Sequence, residues 1–229
     1  MRAGRPPTGD ASASPPCRAP SAAWASRSKK VLHARERDEA ERAAWRAEAQ
    51  TLAPARFVFV DESGTHLALT PRYGRAPRGE RVVGVVPRNH GPNVTVVAAL
   101  GVAGITAAMT MTGPADGEVW ELFVDQILVP SLRPGQIVLC DQVSVHKNAA
   151  CRHLIEARGC QLRLLPAYSP DFAPVEQAFG KLKTSLRQAG ARTRAELEEA
   201  IAAGLATITA HDAQAWFRHC GYAVPEQLL

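Results

Sequence analysis

Apolar positions come first as short unbroken runs and later at helical spacing. Phe57-Val58-Phe59-Val60 is closed by Asp61-Glu62-Ser63-Gly64, the pattern of a buried strand stopped by a turn. Residues 66–70, 94–100 and 105–112 predict further strands separated by Gly, Pro and Asn, in the manner of an antiparallel meander. From residue 116 the period changes. Val119, Leu122, Phe123 and Ile127 recur at helical spacing over 116–132, with Asp116 suited to the N-cap. Ile137-Val138-Leu139-Cys140 predicts a second buried strand, 148–158 a helix ended by Gly159, and 161–165 another strand. Helices are predicted over 174–189, 193–207 and 213–219. Strands first, then alternating strand and helix, define an α/β class with a sheet of mixed direction.

Composition narrows the picture without deciding it. The 229 residues suit one domain of ordinary size, or one domain with a tail. Residues 1–27 are Pro, Ala, Ser, Gly and Arg with few large apolar side chains, which predicts a disordered tail. Residues 28–54 interleave Glu and Arg and predict a charged helical linker, solvated along its length. The body spans 55–222, followed by a short C-terminal tail at 223–229. The net charge of +5 belongs to the N-terminus, because residues 1–30 hold six basic groups and one acid while the remainder balances to zero. Charge alone therefore gives no argument that the body binds nucleic acid. No apolar run is long enough to span a membrane, and no secretory pattern opens the chain. Five cysteines with no C-x-x-C pair read as reduced thiols of a cytoplasmic protein.

The candidate chemistry is acidic. Phe57, Phe59 and Asp61 share one face of the first apolar strand, and Ile137, Leu139 and Asp141 one face of the second. Ligands of open α/β sheets gather at the carboxyl ends of strands. Two carboxylates brought side by side there either share a proton or hold a cation, and hard oxygen ligands favour magnesium or manganese over zinc. A third acid, Glu176, falls in the first turn of the helix opened by Pro174. Val175, Phe179, Leu182 and Leu186 give that helix a packing stripe, and Lys183 and Arg187 continue the face that begins with Glu176.

These residues carry a resemblance. Val58-Phe59-Val60-Asp61-Glu62-Ser63, Cys140-Asp141-Gln142 with Ser144-Val145-His146-Lys147, and Tyr168-Ser169-Pro170-Asp171 leading to Glu176-Gln177 resemble the DDE transposases of the mariner superfamily. The bacterial insertion sequence 630 branch is the nearest in pattern, and 34 residues separate Asp141 from Glu176, as that resemblance implies. It covers about residues 55–222. It implies an RNase H-like fold, a mixed five-stranded sheet flanked by helices, with Asp61, Asp141 and Glu176 as ligands of two Mg2+ ions, replaceable by Mn2+. The implied reaction is cleavage and transfer of double-stranded DNA at terminal inverted repeats, with insertion at TA, by a homodimer acting on the bacterial nucleoid.

Other residues invite weaker readings. His146 and Lys147 either touch the scissile phosphate or an end base, or simply form a loop-to-helix junction. Arg72, Arg75 and Arg78 either grip the DNA backbone from a hairpin or are only solvated. Trp120, Trp216, Phe123 and Phe217 read as packing residues, and Glu62 as a group that orients a ligand from the opposite strand face. Two features depart from the family. Gln142 stands where many relatives carry Asn, and the 56 residues before the first strand leave no room for the paired helix-turn-helix modules of full-length relatives. The expectation is a catalytic domain alone, with an inactive remnant that only binds DNA or a partner subunit as the alternative.

Overall fold

The computed structural model describes residues 34–225. The expected tail at 1–27, the start of the expected linker helix at 28–33 and residues 226–229 lie outside the described residues. Helix α1 (Glu39–Ala49) is followed by three antiparallel strands, β1 (Phe57–Thr65), β2 (Val94–Gly101) and β3 (Gly104–Thr112). Helix α2 (Gly117–Phe123) runs on through a π-helical stretch, Val124–Leu128, into a last turn, Val129–Ser131. The widening has a local cause. Pro130 has no N–H to give and its ring crowds the carbonyl four residues back, and Val129 N–H donates instead to Val124 O.

Then come β4 (Ile137–Cys140), α3 (Ala149–Ala157), β5 (Gln161–Leu164), α4 (Pro174–Ala189), α5 (Arg194–Ala206) and α6 (Ala210–His219). The five strands form one sheet in the order β3-β2-β1-β4-β5, with β4 parallel to both β1 and β5.

Strand side chains alternate in face, so β1 feeds two cores. Phe57 and Phe59 join Leu100, Ile137 and Leu139 under α4, α5 and α6. Val58 and Val60 join Val97, Val138 and Cys140 under α2 and α3. All eight residues of β2 are buried, which is why its sequence is an apolar run rather than an alternation. No helix among the described residues is long and apolar enough to cross a membrane.

Five expectations need correction. Residues 66–70 form no strand, and no helix or strand occurs anywhere in 66–93. The alternating Leu67 and Leu69 pack against the core, but their carbonyls accept from the Arg192 guanidinium at 3.0 Å each instead of from a sheet neighbour. The first strand does not stop at Asp61, because Asp61 to Thr65 stay paired with β2. The segment expected as a solvated linker is part of the body, with Trp45 and Ala49 in the main core and Arg42 fully buried. Helix α6 starts three residues early because Thr209 and Asp212 close a capping box. The core also runs past the expected boundary at 222, since Val224 is buried in it. Cys140, Cys151, Cys160 and Cys220 are all free and buried.

Candidate active site

The parallel register of β1 on β4 pairs Phe59 with Leu139. Two residues further along, on the same face, stand Asp61 and Asp141. Asp61 is held in the ladder opposite Ala98, while Asp141 is the first residue past β4. Glu176 arrives from the loop after β5, which is stiffened by Pro166, Pro170 and Pro174 and contains a 3-10 turn at Pro170–Phe172. In that loop Tyr168 sits at φ 54, the left-handed region that side chains seldom adopt. Pro174 opens α4, and Glu176 lies in its first turn. Asp61, Asp141 and Glu176 all line one cavity of about 340 Å³, and none of the residues lining it is basic.

The electrostatics follow from this crowding. Burial, and then the like charges of Glu176, Glu62 and Asp141, push the Asp61 carboxyl up to about 7. Asp141 behaves oppositely. Burial raises its pKa, but hydrogen bonds from His146 and from the Val143 N–H outweigh it and hold the carboxyl below its usual value. His146 is the hinge between the two strands. Its Nδ1 lies 2.7 Å from Asp141 Oδ1 and its Nε2 3.2 Å from Glu62 Oε2, with the ring against Trp120 at 4.3 Å between centroids. Burial lowers its pKa, but the two carboxylates more than compensate and raise it to about 9.

The donor set fits hard divalent cations, because it offers carboxylate oxygens and excess negative charge with no cation on the wall to neutralise it. Among the described residues no three carboxylate, imidazole or thiolate groups close on a single ion. Asp61, Asp141 and Glu176 are the residues on the wall that would hold such ions.

The other sequence candidates fall elsewhere. His146, expected as a DNA contact, is only 1% exposed and faces two carboxylates, so its ring is not offered to a polynucleotide. Glu62 faces His146 rather than the cavity, on the opposite strand face from Asp61. Lys147 is exposed beside the site, and Lys183 and Arg187 are half-buried on α4 without reaching the cavity wall. Arg72, Arg75 and Arg78 are exposed in the 66–93 arm, away from the wall. Sequence reasoning missed Arg42, whose guanidinium grips Asp171 just ahead of Glu176. A fully buried arginine in a charged helix leaves no hydrophobic signal.

A mixed sheet carrying three acids at the carboxyl side of its parallel pair is the layout of an RNase H-like nuclease core. The sequence agrees: residues 56–198 match the model of the DDE superfamily endonuclease family, and the chain belongs to that family. Its fold is similar to that of the Mos1 transposase catalytic domain. The Mos1 paired-end complex with the left transposon end matches at a TM-score of 0.65 and 15% identity, over 85% of this chain and 62% of that one. The Mos1 mariner paired-end complex with Mn matches at 0.62 and 16%, over 85% and 62%. The Mos1 catalytic domain with raltegravir and Mn matches at 0.59 and 12%, over 83% of this chain and 92% of that one. The chain thus spans about 62% of the longer Mos1 chains. No curated protein sequence matches it.

Proposed function

We propose that the chain is the catalytic domain of an insertion-sequence transposase of the insertion sequence 630 branch, cleaving and transferring DNA strands at the element's ends. The observation that carries this reading is the meeting of Asp61, Asp141 and Glu176, from three distant segments, on one cavity wall free of basic groups. These carboxylates would hold two Mg2+ ions, or Mn2+ in their place. When bound, such a pair activates the attacking water or 3′-hydroxyl and stabilises the leaving oxygen. The protein's part is to place the ligands. The ladder to β2 fixes Asp61, His146 orients Asp141 through one oxygen, and α4 carries Glu176.

The partner is double-stranded DNA bearing terminal inverted repeats, with TA as target. Lys147, Lys183, Arg187, Arg72, Arg75 and Arg78 are the backbone contacts. A homodimer is the working form. Tyr73, Val83 and Val85 of the 66–93 arm, 92%, 85% and 89% exposed, are the apolar side chains the chain offers to a second copy. The reaction takes place in the bacterial cytoplasm, on the nucleoid.

The test is Mn2+-dependent nicking of a duplex carrying the element's own terminal repeats. The wild type nicks at the repeat ends, and Asp61→Asn gives none above background with the fold intact by circular dichroism. Cleavage retained by Asp61→Asn refutes the assignment. A wild type that binds the duplex but never nicks it supports the inactive remnant.

A further inference from the structure

Helix α1 touches both of the segments that bring acids to the cavity after β4. On one side Arg42, 0% exposed, donates from Nη1 to Asp171 Oδ1 at 3.0 Å and from Nη2 to Asp171 Oδ2 at 2.6 Å. Its guanidinium also stacks over the Phe172 ring at 4.1 Å. On the other side Glu41 Oε1 accepts from Gln142 Nε2 at 3.4 Å, and the same amide donates to Leu165 O at 3.2 Å. Gln142 adjoins Asp141, and Asp171 lies five residues before Glu176. The C-terminal end closes the assembly, since Tyr222 Oη donates to Phe172 O at 2.7 Å and Trp45 Nε1 donates to Tyr222 Oη at 3.4 Å.

We propose that α1 braces the carboxylate site and that Arg42 is a positioning residue that sets Glu176 through Asp171. The inference rests on the metal-site reading given above and deepens it. Burying a guanidinium is unfavourable unless it is fully paired, and apolar side chains of similar volume stabilise a core at least as well. A two-pronged Arg–carboxylate pair supplies what they lack, a fixed orientation of the carboxylate's backbone. Here the fork holds the 3-10 turn Pro170–Phe172. Ala173 N–H donates to Pro170 O and Glu176 N–H to Ala173 O, while Pro170 and Pro174 fix two φ angles of the path between. A shift at Asp171 therefore travels to the first turn of α4 instead of being absorbed.

The experiment uses the full chain and two variants. Arg42→Met fills the same volume without the fork. Asp171→Asn removes the acceptor charge at a side chain 48% exposed but leaves the buried Arg42 with Glu39 at 3.6 Å as its remaining close carboxylate, so the β2 and β3 amides serve as its folding control. In metal-free protein, amide hydrogen exchange over residues 165–178 should rise in both variants while the β2 and β3 amides stay as in the wild type. Mn2+ binding, followed by the electron paramagnetic resonance signal of free Mn2+, should weaken about tenfold or more, as loss of a group orienting a metal ligand does. Unchanged exchange over 165–178 overturns the brace. So does raised exchange with undiminished Mn2+ affinity, and so does a rise spread evenly over the sheet, which marks general loss of stability. A wild type that binds no Mn2+ overturns the metal-site reading instead, and the exchange measurement then decides the brace alone.

Discussion

Replacing Asp61 by Asn should stabilise the metal-free protein, and by more as the pH rises. Asp61 sits among Phe59, Val60 and Leu139 on the cavity wall, and burial with three neighbouring carboxylates moves its pKa from 3.8 to about 7. Between roughly pH 4 and pH 7 the folded chain binds a proton that the unfolded chain has already released. Stability therefore falls as pH rises through that window, and the full penalty is present above it. That rise corresponds to about 4 kcal/mol at pH 8, of which less than half remains at pH 5. Asn keeps the shape and discards the charge. At roughly 2–4 °C per kcal/mol for a chain of this size, the variant should melt about 10 °C above wild type at pH 8 and only a few degrees above it at pH 5. Thermal unfolding by circular dichroism in EDTA, at several pH values between these limits, reads the difference directly. Parallel curves, with no widening gap towards pH 8, would show that Asp61 is not crowded by like charge. Adding Mn2+ should reverse the order, because only the wild type gains from ligand binding.

Two further outcomes test the surroundings. In metal-free protein the His146 imidazole should titrate near 9 in NMR, since hydrogen bonds to Asp141 and Glu62 outweigh the effect of burial. Its contribution to stability is then complete below about 6.5 and lost as the pH climbs through about 9, whereas a midpoint near 6.5 would mean that the carboxylates do not hold it. Gly104, at φ +114 with the Ile208 carbonyl 3.2 Å from where a Cβ would stand, should not tolerate Ala. Gly104→Ala is expected to cost roughly 2 kcal/mol, seen as a lower urea midpoint at unchanged slope, and an unchanged midpoint would contradict the backbone described for the β2–β3 turn.

What the sequence revealed depended on how local each feature is. The runs 57–60 and 137–140 announced buried strands because both faces of each are covered, and the stretch 174–189 read as helical is α4. Asp61 and Asp141 stood out because each ends an apolar run, and Glu176 because Pro174 opens its helix two residues before it. Features that depend on distant partners were not. Arg42 reads as surface charge until Asp171, 129 residues away, is placed beside it. Leu67 and Leu69 alternate like a strand, but β1 already has β2 on one side and β4 on the other. The 66–93 segment therefore finds no free edge beside β1. Thr209 and Asp212 form a reciprocal cap, which a search for Glu or Gln at the third position passes over.

The three acids are mounted with unequal stiffness, and the inequality follows from strand length. β1 extends beyond β4, so Asp61 remains in a ladder with β2 after its parallel neighbour has ended. It cannot turn away from its charged neighbours, and protonation is its only relief without a cation. Asp141, just past the shorter strand, is exposed enough to swing, and it is held by His146 and the Val143 N–H. Glu176 depends on a proline-rich loop and on the brace that grips it. A divalent cation entering this cavity would therefore gain most from Asp61, whose charge is least compensated. The strand fixes the acid whose charge is least compensated, while His146 and the Arg42–Asp171 pair set the other two.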